Sequence, residues 1–62
     1  MERTKLILLR RDKTQAEVAA ELGTTRQMLG AIERGARNPS LALAKRIADY
    51  YGMTIDEVFF QE

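Results

Sequence analysis

Apolar residues recur along this chain at helical spacing, and polar start and stop signals divide the recurrence into five segments. In the first, Leu6 and Leu9 lie three apart and share a stripe that Ile7 and Leu8 widen, which predicts a helix over residues 1–13. No glycine marks its end, so a break near Asp12-Lys13 follows only from the start signal of the next segment. That signal is Thr14 with Glu17, a capping box in which hydroxyl and carboxylate each satisfy a free backbone N–H. Val18, Ala19 and Leu22 then form a narrow apolar face whose small residues allow close helix approach. Gly23 ends this second helix in the left-handed conformation.

The third segment opens at Thr24-Thr25, with Thr25 the favoured cap, and closes at Gly35. Leu29 and Ile32 are its core positions, while Arg26, Gln27, Gly30, Ala31 and Arg34 fall on the remaining face. Residues 36–39 read as a loop, and Ser40 caps a fourth helix that ends at Gly52. Leu41, Ala44, Ile47, Ala48 and Tyr51 make its buried stripe, with Lys45, Arg46 and Asp49 toward solvent. Thr54 and Glu57 form a second capping box, opening a short last helix through about Phe60. Neighbouring positions on a helix diverge by about 100°. Phe59 and Phe60 therefore cannot share one core, and Phe60 is expected outside it with Tyr50 or Ile55. No stretch alternates with period two long enough for a strand. The expectation is an all-α fold of five helices, a single domain over residues 1–62, with no room for a ligand, protease or effector domain.

Composition narrows the chemistry. A chain of 62 residues can bury roughly 60% of its unfolded surface, and here it must do so without cysteine or histidine. No disulfide, metal site or cofactor is expected. The run Leu6-Ile7-Leu8-Leu9 is far short of the ~20 residues that span a bilayer. Together with the lack of a secretory signal, it points to a cytoplasmic protein without a membrane partner. Glu17 and Glu57 have capping roles and Glu33 lies inside a helix near basic residues. Nothing resembles an activated nucleophile or an acid–base pair, so neither a catalytic residue nor enzymatic activity is expected. Net charge is only +1, but it is unevenly spread. Residues 1–13 carry +3, residues 14–25 carry −2, residues 26–46 carry +4 and the remainder −4. A polarised molecule with one face suited to phosphates follows.

The run TQAEVAAELGTTRQMLGAIERG, followed by RNPSLALAKRIADYYG and then TIDEVF, resembles the helix-turn-helix family of phage Cro and repressor proteins. The resemblance covers about Leu6 to Phe59 and is borne by four features in order. These are the TQ start, the glycine turn, the I-E-x-G ending and the N-P-S-L sequence before helix four. It implies a compact, lambda-repressor-like DNA-binding domain with the helix-turn-helix at about residues 14–35. The third helix would then enter the major groove of double-stranded DNA while the second crosses the backbone. By position, Gln15 would touch a phosphate and brace Gln27; Thr25, Arg26 and Gln27 would face base edges; Ala31 would sit near the groove floor. Arg34, Arg37 and Asn38 would reach flanking phosphates, Asn38 also shaping the turn before Pro39. The family commonly pairs the residues found here as Arg10 and Glu33.

Two departures stand out. The join between Leu9-Arg10 and Thr14-Gln15 is about two residues shorter than the usual family link, which often holds a glycine. That leaves open the last turn of helix one and the Arg10–Glu33 pairing. Met28 and Gly30 also stand where small hydroxyl residues are frequent, which thins the hydrogen-bonding inventory of the reading face. Met28 reads as a rim or partly buried residue.

The chemistry of the reading positions suits bases. Arginine matches guanine O6 and N7 with a planar fork, and glutamine bonds adenine N6 and N7. The expected function is a small sequence-specific transcriptional regulator, a repressor occupying a palindromic operator. It would act as a homodimer through helix five and the end of helix four, without a small-molecule ligand. An antitoxin-like protein with a toxin partner, or an interaction adaptor without DNA binding, are the alternatives.

Overall fold

In the computed structural model, which describes residues 2–60, five helices account for the regular structure. They are α1 (Thr4–Arg10), α2 (Gln15–Leu22), α3 (Arg26–Arg34), α4 (Leu41–Tyr50) and α5 (Ile55–Phe59). Helices of five to ten residues do not persist alone in water, so their stability must come from what they bury against each other. Leu6, Val18, Leu29, Ile32 and Ile47 are almost completely enclosed, and Ala19, Leu22, Leu43, Ala48 and Val58 complete the core. Each fully buried branched side chain contributes about 1.5–3 kcal/mol. Helix α2 packs on α3 and α4, α1 lies against α3, and α5 closes on α4.

The local start and stop signals act as the sequence predicts. Thr14 and Thr54 form complete capping boxes with Glu17 and Glu57, and Thr25 and Ser40 cap α3 and α4 through their hydroxyl oxygens. Gly23 and Gly35 take left-handed conformations, with φ of 75° and 78°. The Gly23 N–H donates to the Ala20 carbonyl at 3.2 Å and the Thr24 N–H to that of Ala19 at 3.0 Å, so free carbonyls of α2 are satisfied.

Three expectations need correction. Helix α1 is shorter than residues 1–13, and Met1 lies outside the described residues. It ends at Arg10 because Arg11 turns the chain with φ 54° and ψ −121°. The Lys13 N–H donates to the Arg10 carbonyl at 3.0 Å, which makes residues 10–13 a type II′ turn with arginine where glycine is favoured. On α4, Leu41 is 78% exposed and Leu43 is buried in its place. A side chain in the first turn leans past the helix start, and no helix stands there to cover Leu41. Third, α4 stops at Tyr50, two residues before the predicted end.

The short join is held by side chains. Lys13 Nζ reaches Glu21 Oε1 at 3.2 Å and Tyr50 Oη at 2.9 Å, and Tyr50 Oη also donates to Glu21. These contacts tie the turn to α2 and to the end of α4. They hold the Lys13 ammonium above its ordinary range and the Glu21 carboxyl below it, the Tyr50 hydrogen bond being the largest cause for each.

Candidate nucleic-acid interface

Two helix starts face one shallow cleft. Gln15 is the first residue of α2, and Arg26 and Gln27 are the first two of α3. Thr25 Oγ1 accepts from the Met28 N–H at 3.0 Å, which fixes the chain's angle into α3 and leaves the Thr25 hydroxyl proton free to donate outward. Arg26 and Gln27 are exposed, and Met28 is half-buried against the core. Arg26 and Gln27, with Gln15, Gly30 and Arg34, line a cleft of about 240 Å³. Two guanidinium groups and two amides thus line one cleft, which includes the first residues of α2 and α3, where backbone N–H groups favour an anion.

A buried carboxylate anchors this arrangement from behind. Glu33 is 2% exposed, and its Oε2 accepts from Arg10 Nε at 2.6 Å. Its Oε1 accepts from Arg10 Nη2 at 3.1 Å and from Gln15 Nε2 at 2.8 Å. The shortened join therefore preserves the Arg10–Glu33 pair. It does so because the type II′ turn reverses the chain in fewer residues than a glycine-ended helix and loop. The charge-assisted fork with Glu33 raises the Arg10 guanidinium above its ordinary value, against the opposing effect of burial. The resemblance implied that Gln15 would brace Gln27; its amide N–H donates to Glu33 instead.

The remaining predicted residues divide. Ala31 was expected near a groove floor, yet it is 8% exposed. Its carbonyl belongs to the C-terminal cap of α3, where it accepts from the Ala36 N–H at 2.9 Å. Gly30 is buried as well, under the side chains of Gln15 and Arg34. Arg37 and Asn38 are exposed on the loop between α3 and α4.

That loop is shaped by Arg3, a residue with no local sequence signal. Its Nη1 donates to the carbonyls of Ile32 at 2.5 Å and Arg37 at 3.0 Å, and its Nη2 to Asn38 Oδ1 at 2.6 Å. Its backbone N–H meets the Glu33 carbonyl at 2.6 Å, and its guanidinium lies 5.5 Å from the centre of the Phe59 ring. A cation so placed satisfies the free carbonyls at the C-terminus of α3 and suits its dipole. Asn38 thus has an internal partner for its oxygen, while its amide hydrogens remain available.

A glycine turn between two helices packed by Val18, Leu22, Leu29 and Ile32, with a polar cleft at the start of the second, defines a helix-turn-helix domain. The chain belongs to the helix-turn-helix family of the Cro and C1 type, which it matches over residues 5–58, a family of DNA-binding transcriptional regulators. It is 45% identical over 49 residues to an uncharacterised HTH-type transcriptional regulator of Methanocaldococcus jannaschii, covering 79% of this chain and 74% of that protein. A counterpart in Methanothermobacter thermautotrophicus is 47% identical over 47 residues, covering 74% and 68%. The uncharacterised HTH-type transcriptional regulator YgzD of Bacillus subtilis is 39% identical over 49 residues, covering 79% and 74%. Among the described residues no helix is long and apolar enough to cross a membrane.

Proposed function

We propose that this chain represses transcription in the cytoplasm by occupying a palindromic operator as a homodimer, with α3 in the major groove. The observation that carries the reading is the exposed Arg26-Gln27 pair, which follows the Thr25 cap and shares one cleft with Gln15 and Arg34. Base edges fall to Thr25, Arg26 and Gln27; Arg37 and the amide of Asn38 face the backbone, with Gln15 at the start of α2. Ala31, being enclosed, contributes packing. Arg26→Ala should lose at least tenfold in affinity for the selected operator with little change in melting temperature. Unchanged affinity in a quantitative gel shift would overturn the assignment.

The dimer reading is supported by an apolar surface. Leu41, Ala44, Ile55, Phe59 and Phe60 surround a cleft of about 380 Å³, with Leu41 and Phe60 each at least three-quarters exposed. This moves the contact to α5 and the first turn of α4, because Tyr50 at the end of α4 is engaged with Lys13 and Glu21. A two-fold contact there would set two α3 helices about 34 Å apart, one turn of DNA. Phe60→Glu should abolish any dimer seen by sedimentation and the cooperativity of operator binding. A monomeric wild-type protein that copurifies with a second chain would favour the antitoxin-like alternative.

A further inference from the structure

The last residue of the reading helix is folded back into the cleft. Position alone would send Arg34 to the flanking phosphates. Instead its Nη1 lies 3.3 Å from where a Cβ on Gly30 would sit, one turn nearer the start of α3. Helical side chains lean toward the N-terminus, so Arg34 naturally covers the turn before it, provided that turn carries no side chain. Gly30 supplies that bare floor. Gln15 forms the wall, with Oε1 and Nε2 at 3.5 and 3.6 Å from the same point. Its orientation is fixed, since the buried Glu33 carboxylate accepts only and so takes the Nε2 side. The amide oxygen of Gln15 is thereby left toward the cleft that holds the Arg34 guanidinium.

We propose that Arg34 is a specificity-determining residue that reads a guanine edge beside Arg26 and Gln27, and that Gly30 is the residue that permits it. The proposal rests on the DNA-reading function above. Arg26, Gly30 and Arg34 are spaced by four and lie on one stripe of α3, so the two arginines flank a bare turn of backbone. Arg34 makes no ion pair among the described residues, and its fork is free to meet O6 and N7 of a guanine. Arg37, exposed on the following loop, remains the backbone contact. The half-site then has contacts at both ends of the reading stripe with a gap between them.

Selection of bound sites from random DNA, followed by titrations at several salt concentrations, tests this with wild type, Arg34→Lys, Arg34→Ala and Gly30→Ala. Arg34→Lys keeps the charge but lacks the planar fork. It should flatten the preference at one position per half-site by about tenfold while leaving the salt slope unchanged. Gly30→Ala puts a Cβ 3.3 Å from Nη1, so the guanidinium must give by a few tenths of an ångström; the same position should flatten less than in Arg34→Lys, while alanine favours the helix and the melting temperature should rise. Preferences retained in both variants overturn the proposal. So does a uniform loss across all sequences in Arg34→Ala with a salt slope reduced by about one, which would mark a phosphate clamp. If wild type binds DNA but selects no sequence, the reading function fails first and the proposal with it.

Discussion

Two turns bracket α2, and they reverse the chain by different means. After α2, Gly23 adopts φ 75°, and its hydrogen bonds are all made within five residues. Before α2, Arg11 adopts φ 54°, the one left-handed non-glycine among the described residues. That turn has local bonds between Arg10 and Lys13 and is held from a distance as well, by Arg10 on Glu33 and by Lys13 on Glu21 and Tyr50. A glycine turn is stable by itself, whereas a strained turn persists only where its surroundings impose it. The strained one sits directly behind the cleft, because the pair that holds it also fixes Gln15.

Breaking the distant support should have the largest effect. Glu33→Ala leaves the Arg10 guanidinium partly buried and unpaired and frees Gln15, at a cost of about 3 kcal/mol. For a domain whose total stability is about 3–9 kcal/mol, urea denaturation should show a midpoint reduced by a third or more. Next, Gly23→Ala should cost about 1–2 kcal/mol from backbone strain alone. Its new Cβ would meet only Arg46 Nη1, at 3.8 Å, so steric crowding adds nothing.

The reverse exchange sharpens the contrast. Arg11→Gly should raise stability by up to about 1 kcal/mol, the strain relieved outweighing the added freedom of the unfolded chain. A lower melting temperature in that variant would show that the Arg11 conformation costs less than the freedom glycine adds to the unfolded chain.

The smallest effect is the response to pH. Backbone hydrogen bonds to Thr14 and Thr54 hold the Glu17 and Glu57 carboxyls below their ordinary value, and Tyr50 does the same for Glu21. Groups lowered on folding stabilise above the unfolded value of about 4.3 and lose that contribution as pH falls through the folded one. At the other end, Lys13 is raised by Tyr50, and burial pushes the Tyr51 hydroxyl up to about 12. Both contributions are present below about pH 10 and fade above it. Thermal melts should be level between about pH 5 and pH 10 and decline on either side. Glu17→Gln should make the acid decline shallower.

The same distinction explains what the sequence made legible. A cap and its partner lie three residues apart, so Thr14 with Glu17 and Thr54 with Glu57 could be read directly. The helical period found α2, α3 and the exposure of Phe60. Periodicity alone could not place Leu41, which shares an angular face with Ala44 and Ala48 but lies before anything that could cover it. Arg3 bonds a residue 29 positions away and Lys5 a carbonyl 52 positions away, separations for which composition and spacing carry no signal. In the cleft, the identities of Gln15, Arg26, Gln27 and Arg34 were readable, but their arrangement was not. It depends on what a glycine leaves empty and on a carboxylate from the far side of α3.

Arg3 has a consequence for how the molecule opens. It joins the start of α1 to the C-terminus of α3 and to Phe59, while Lys5 Nζ meets the Glu57 carbonyl at 2.6 Å. The first and last helices are therefore stapled across the end of α3, closing a ring of more than 50 residues. Closing such a ring costs little more than closing one half as long, yet opening it releases every short helix at once. Amide exchange in α3 should accordingly follow global unfolding, with no private route by which that helix can melt first.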